Sequence, residues 1–200
     1  MKIKKKHYVF GAVAVLLTVG GFVALNLYRK INAPFLCARL NLHTLRMEKP
    51  TTATLYIDDN DNIDSIYAKL FPITTCKAYD GFQLLAKHYD YARHIRTGRY
   101  VIEPGKKALD VFRQLRNGQQ TPVMITVPDV RTTERLAGRI SQKLMLDSAT
   151  IAQALADEAF CQRLGYDTAT IFCLFVPNTY EVYWNVSLDA LMQRMQKEHD

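Results

Sequence analysis

The sequence has no G-x-S-x-G, no P-loop and no H-E-x-x-H, so serine-hydrolase, nucleotide and zinc-protease readings lack their signatures. Its four cysteines, Cys37, Cys76, Cys161 and Cys173, form no C-x-x-C pair, and no histidines stand at zinc-like spacing. No metal and no cofactor are expected. Charge is missing altogether from Val9 to Tyr28, VFGAVAVLLTVGGFVALNLY, where Thr18 and Asn26 are the clearly polar residues. The run has no polar face, which argues against a helix covering a soluble core.

As a helix rising about 1.5 Å per residue, this run is about 30 Å long, the thickness of a bilayer's hydrocarbon core. Lys2, Lys4, Lys5 and Lys6 ahead of it outnumber Arg29 and Lys30 behind it. The positive-inside rule then leaves residues 1–8 as a cytoplasmic tail and everything after Tyr28 outside. The run exceeds the apolar part of a signal peptide, and no A-x-A site follows it. Residues 9–28 are therefore expected to cross the lipid bilayer once, in the inner (plasma) membrane, with the bulk of the chain periplasmic or otherwise extracytoplasmic.

Of the 200 residues, 48% are hydrophobic and 22% charged, which describes a folded protein. The net charge of +7 points to a polyanion until the four leading lysines are set aside, leaving +3 for everything after residue 6. No nucleic-acid partner is expected. Disulfides are allowed in an oxidising compartment, in any of three connectivities, but Cys161 and Cys173 sit among apolar neighbours and are expected as buried thiols.

Residues 29–51 lose clear periodicity and read as a stalk, in which INAPFLCARLNL can form a short membrane-proximal element. ATLYI (53–57) alternates as a strand, and Asp61 or Asn62 can cap a helix with Ile63, Ile66, Tyr67 and Leu70 on one stripe. Asp80 and Gln83 resemble a capping box opening a second helix, and GRYVI (98–102) reads as another strand. The unit is strand, helix, helix, strand. A helix with Ala108, Val111, Phe112 and Leu115 inward ends at Gly118, and TPVMITV puts Val123, Ile125 and Val127 on one strand face. Thr132 or Thr133 caps the next helix, Asp147 or Ser148 opens another that closes at Gly165, and Ser187 caps a last one carrying Leu191, Met192 and Met195. Between them, Ile171 to Trp184 reads as extended structure broken by Pro177. The last helix reaches Asp200 without a glycine stop, so the lobe is expected to continue past it. LYIDDNDNIDSIYAKL and ITVPDVRTTERLAGRISQKL share a strand-turn-helix form, which two copies cannot establish as a repeat.

Three separated pieces carry a resemblance: TGRYVIEPGKKALDVFRQLRNGQ, then ITVPDVRTTERLAGRISQKL, then LFVPNTYEVYW. In this order they resemble the bacterial endolytic murein transglycosylase family (MltG, or YceG-like), whose members carry G-x-Y-x-I with a helix ending L-x-x-G, a V-P-E-G-like turn, and F-P-D-T-Y. Asn178 stands where the family has Asp, Val130 where the turn has Gly, and Phe172 and Cys173 where many members have Glu-Gly. The resemblance implies an α+β protein with an N-terminal transmembrane helix, a LysM-like βααβ glycan-binding module over 52–127, and the start of a mixed α/β catalytic lobe over 128–200. It implies cleavage of the β-1,4 bond between N-acetylmuramic acid and N-acetylglucosamine, closing a 1,6-anhydro ring. Its implied partners are peptidoglycan glycan strands and membrane-bound peptidoglycan synthases.

Because the substrate's own hydroxyl is the nucleophile in that reaction, one carboxyl group can serve as acid and then base. Glu181, among Tyr180, Tyr183 and Trp184, is the tempting candidate. The family's catalytic glutamate, however, belongs to a segment resembling A-S-I-V-E-x-E-T that follows P-D-T-Y, and none occurs before Asp200. The acid is thus expected beyond Asp200, with Glu181 a strand charge or groove-lining group. Asn178, Tyr180, Glu181, Tyr183 and Trp184 are the candidate substrate-binding residues, and Tyr180 and Trp184 are equally readable as core aromatics. In HYDYARHIRTGR, His88 and His94 suit a solvated helix end better than a contact with acidic wall polymers. From another class stands a non-enzymatic peptidoglycan-binding anchor of the division machinery.

Overall fold

A computed structural model describes residues 2–41, 46–127 and 132–199. Of the V-P-D-V turn, Pro128, Asp129 and Val130 lie outside the described residues. The chain divides into two compact units, one of Met1–Leu55, Asp61–Ile95 and Ile102–Asn117, the other of Tyr56–Asn60, Arg96–Val101 and Gly118–Asp200.

The first unit begins with helix α1, Lys2–Ile31, unbroken over 30 residues. Its Val13–Ile31 segment has a mean hydropathy of 1.3 and no buried share, and it is long and apolar enough to cross a membrane. The expected stalk is structured. Ala33, Phe35 and Leu36 are buried, and short strands β1 (Arg39–Asn41) and β2 (Arg46–Glu48) pair antiparallel. Phe35 is drawn in because its ring meets Phe82 edge-on at 6.2 Å, while its backbone donates to Lys106 O and accepts from Thr75 N, each at 2.9 Å.

Strand β3 (Ala53–Ile57), helices α2 (Ile63–Leu70) and α3 (Cys76–His88), and strand β4 (Gly98–Ile102) follow in the expected order, with β3 and β4 forming a two-stranded sheet. Asn62 caps α2: its Oδ1 accepts from Ser65 N at 2.9 Å, and Ser65 Oγ accepts from Asn62 N at 3.0 Å, so two orphan donors are satisfied. The start of α3 differs from the sequence reading. Thr75, in extended conformation, is the cap and accepts from Ala78 N at 3.3 Å. Asp80 lies inside the helix and pairs with Lys30 at 2.9 Å. Helix α4 (Ala108–Asn117) closes the unit. Phe82 packs edge-on against Tyr67, Tyr91 and Phe112, with Ile66, Leu70, Val111 and Leu115 fully buried.

In the second unit, Gly118 adopts φ +67 just past α4, the left-handed conformation that glycine takes without a Cβ penalty. Tyr100 is fully buried and its hydroxyl donates to Arg96 O at 2.9 Å. Burial pushes Tyr100 up to about 12, against a smaller lowering by Arg96. Strand β5 (Val123–Thr126) is followed by α5 (Thr133–Ser141), capped by Thr132, and α6 (Ser148–Ala156), capped by Asp147. The single helix read from Asp147 to Gly165 is two, because Asp157 leaves helical geometry and caps a separate α7, Glu158–Arg163. A 3₁₀ turn at Ile171–Leu174 replaces part of the expected extended stretch. Strand β6 (Thr179–Val182) and helix α8 (Leu188–His199) complete the unit, with Ser187 Oγ accepting from Ala190 N at 3.3 Å. Ile125, Val127, Leu136, Ile140, Ile151, Leu174, Tyr180 and Met192 share one core.

All four cysteines are free. Cys161 is fully buried and its thiol is pushed up by burial and by Glu158, Asp157 and Asp167. Cys173 is exposed, contrary to expectation, because the 3₁₀ turn brings Ile171 and Leu174 inward and turns Cys173 out.

Candidate functional site

The candidate residues lie on and just after β6, and strand pairing decides which of them face solvent. β5 and β6 are antiparallel, with Val123 opposite Val182, Met124 opposite Glu181, Ile125 opposite Tyr180 and Thr126 opposite Thr179. Side chains alternate across a strand. Ile125, Tyr180 and Val182 therefore enter the core, while Met124, Thr126, Thr179 and Glu181 form an outer face that continues to Tyr183, 55% exposed. Thr126 Oγ1 and Thr179 Oγ1 lie 3.2 Å apart on that face, and Lys143 Nζ donates to the Met124 carbonyl at 3.0 Å.

Tyr180 is 2% exposed, so its ring is not available to stack on a ligand. Burial raises its phenol first, the Glu198 carboxylate adds to this, and Arg194 opposes it. Its hydroxyl donates to Val176 O at 2.7 Å, which closes the turn carrying Pro177 and Asn178. Asn178 is exposed and serves the same turn. Its carbonyl accepts from Val127 N at 2.9 Å and its Oδ1 from Thr179 N at 2.7 Å. An Asn fills this hydrogen-bonding role without the charge of an Asp.

Glu181 stands exposed on the ribbon, outside any apolar surround. Its position is that of a charge on the outer face of a strand.

Trp184 is half-buried and packs on Tyr56, ring centroids 5.0 Å apart and planes at 60°. Tyr56 is 43% exposed, so the pair offers aromatic surface to solvent. The segment around it is fixed by backbone: Met145 N donates to Trp184 O at 2.8 Å, and Asn185 Nδ2 donates to the carbonyl and hydroxyl of Thr97 at 3.1 Å. Sequence reasoning did not reach Tyr56. Its signal was the outward phase of ATLYI, where Leu55 and Ile57 point inward and leave an aromatic facing out.

The outer ribbon face and the Tyr56–Trp184 pair thus combine hydroxyls, one carboxylate and flat apolar rings. Such a set suits hydrogen bonding and stacking on a polyhydroxylated ligand. Among the described residues, no three His, Cys, Asp or Glu side chains are placed to hold a metal ion.

Comparison with known proteins gives a family. The YceG-like family profile matches residues 55–200. A crystal structure described as a yceG-like protein from Listeria monocytogenes is similar to 74% of this chain, at 17% identity and a TM-score of 0.35. The chain spans about half the length of that protein, 54% of it. No curated protein matches the chain.

Proposed function

Because this chain belongs to the YceG-like family, we propose that the protein is a membrane-anchored lytic transglycosylase acting on peptidoglycan. The observation that carries this reading is the family match over residues 55–200, joined to an apolar helix of spanning length at the amino-terminal end. On this reading α1 crosses the plasma membrane with its lysine-rich start in the cytoplasm, residues 52–127 form a LysM-like module that holds a glycan strand, and the β5–β6 ribbon lines the substrate groove. Membrane-bound peptidoglycan synthases supply the nascent strands.

The reaction needs no water. The bond from muramic acid C1 to the glucosamine O4 breaks, O4 takes a proton from a carboxylic acid, and the muramic O6 hydroxyl attacks C1. The resulting carboxylate accepts the O6 proton, so one residue returns to its starting state. Glu181 is exposed and does not meet the burial this acid requires. We assign Asn178, Glu181, Tyr183 and Trp184 to substrate contact or to shaping the groove, and Tyr180 to holding the turn from behind. The acid belongs to an E-x-E-T-like helix of the family, which this sequence does not contain.

Digestion of purified glycan strands by the protein, read by mass spectrometry, tests the proposal. Products ending in 1,6-anhydro-N-acetylmuramic acid are expected. Reducing ends, or strands left intact and bound, would replace the lyase with a hydrolase or with a wall-binding anchor.

A further inference from the structure

The apolar helix does not lead into a tether. Gly81 of α3 lies against the last turn of α1 so closely that a Cβ there would sit 2.4 Å from Lys30 O and 2.7 Å from Lys30 C, both backbone atoms. Beside this contact, Asp80 pairs with Lys30 at 2.9 Å. The residues after α1 continue the attachment: Lys107 Nζ donates to Asn32 Oδ1 at 3.3 Å, Ala108 N to Ala33 O at 3.2 Å, and Thr75 Oγ1 to Pro34 O at 2.8 Å. Phe35 then enters the core. Contacts with the rest of the first unit thus begin at the last turn of the helix and run on without a gap.

On the reading that Val9 to Tyr28 fills the hydrocarbon core, this contact fixes a height. Lys30 lies two residues past Tyr28, about 3 Å along the axis. The polar layer on each side of the hydrocarbon is about 5–7 Å deep. The Gly81 contact therefore falls inside the headgroup layer. Lys77, Asp80, Gly81, Leu84 and Lys87 recur at the three- and four-residue spacing of one helix face. Lys77 and Lys87 are exposed, Leu84 is 40% exposed, and Arg29 is exposed at the end of α1. Asp80 is the acidic residue of the face and it is engaged by Lys30.

We infer that α1 is a rigid strut which seats this face of α3 on the phospholipid surface, with Lys77, Lys87 and Arg29 on anionic headgroups and Leu84 at the edge of the acyl region. The inference rests on the membrane reading of α1. Its consequence is that the first unit is held at the bilayer in one orientation and does not sweep a volume above it.

Tryptophan fluorescence in vesicles containing anionic phospholipid tests this. The full chain carries Leu84→Trp in a Trp184→Phe background, and the lipids are brominated in the upper acyl chain. The structure predicts quenching at position 84, and loss of that quenching when a short glycine-serine insertion follows Tyr28. The insertion breaks the hydrogen bonds from Asn32 to the Tyr28 carbonyl but falls before the contacts that Lys30, Ala33 and Pro34 make with the first unit, and Gly81→Leu gives an independent way to part the helices. A chain that floats with the vesicles but shows no quenching would overturn the strut while leaving the anchor. Quenching that survives the insertion would overturn it too. A chain that does not float with vesicles would remove the membrane reading itself.

Discussion

The Tyr180 hydroxyl donates to the Val176 carbonyl at 2.7 Å, joining a core strand residue to the exposed turn before it. Tyr180→Phe keeps the buried ring and removes this bond, and the Val176 carbonyl, on an exposed residue, regains water. The expected cost is about 0.5–1.5 kcal/mol, read as a lower denaturant midpoint with unchanged slope. Because burial raises the folded-state value, Tyr180's contribution is complete below its unfolded value and is lost as pH rises through the folded one. The variant should therefore differ from the parent by the same amount across neutral pH.

Glu181→Gln separates groove lining from catalysis. On the proposed function, an exposed residue on the ribbon surface should change turnover only several-fold, whereas loss of a general acid costs about 100-fold to 10,000-fold. Single-turnover release of anhydro products measures the difference. A loss in the larger range would make Glu181 the acid.

Tyr183 and the Tyr56–Trp184 pair should divide stability from binding. Tyr183 is exposed, so Tyr183→Ala is expected to stay within about 0.5 kcal/mol of the parent in stability. Tyr56→Ala breaks the ring contact with Trp184 and should cost about 0.5–1.5 kcal/mol. If both surfaces contact glycan, each variant weakens co-sedimentation with purified peptidoglycan, while Tyr180→Phe, altered behind the ribbon, does not.

What the sequence revealed follows the range of the forces involved. ATLYI and GRYVI were legible to their end residues because strand alternation is local, and the cap of α2 was narrowed to Asp61 or Asn62, between which the hydrogen bonds with Ser65 decide for Asn62. Asp80 and Gln83 imitate the same box inside α3, and only the extended conformation of Thr75 shows where the helix opens. The stretch after α1 was legible only as a stalk that can form a short element, because Phe35 is placed by Phe82 and Thr75, residues distant along the chain. In the candidate site, the turn chemistry of Asn178 and the half-exposed Trp184 were visible as residue types. The inward direction of Tyr180 depended on its pairing with Ile125, and Tyr56 joined the site only through a contact far from it in sequence.

The thiols give a test of the fold that needs no substrate. Cys76 and Cys173 are exposed, Cys37 is half-buried with its Sγ 3.8 Å from Pro72 O, and Cys161 is fully buried. Alkylation of the folded protein should modify Cys76 and Cys173 first, and Cys37 more slowly. Cys161, both inaccessible and held as the thiol, should react only on unfolding. Peptide mapping after timed quenching reads the order. Early modification of Cys161 would contradict the packing of α7 on its core.

Acid stability should depend on two turn-forming carboxylates. Asp147 accepts from the amide and hydroxyl of Thr150, and Asp167 from the amide and hydroxyl of Thr170, which holds both below the ordinary value of 3.8. A carboxylate whose folded value is depressed adds stability that is fully present above its unfolded value and is lost as pH falls through the folded one. Both side chains are open to solvent, so added salt should weaken their charge-dependent share. The double variant Asp147→Asn, Asp167→Asn retains an acceptor oxygen at each turn and removes the titration. It should be less stable than the parent near neutral pH and converge on it once pH falls below the folded values, giving a flatter acid limb in urea midpoints. A gap between the two proteins that stays constant down the acid range would show that these carboxylates act through shape alone.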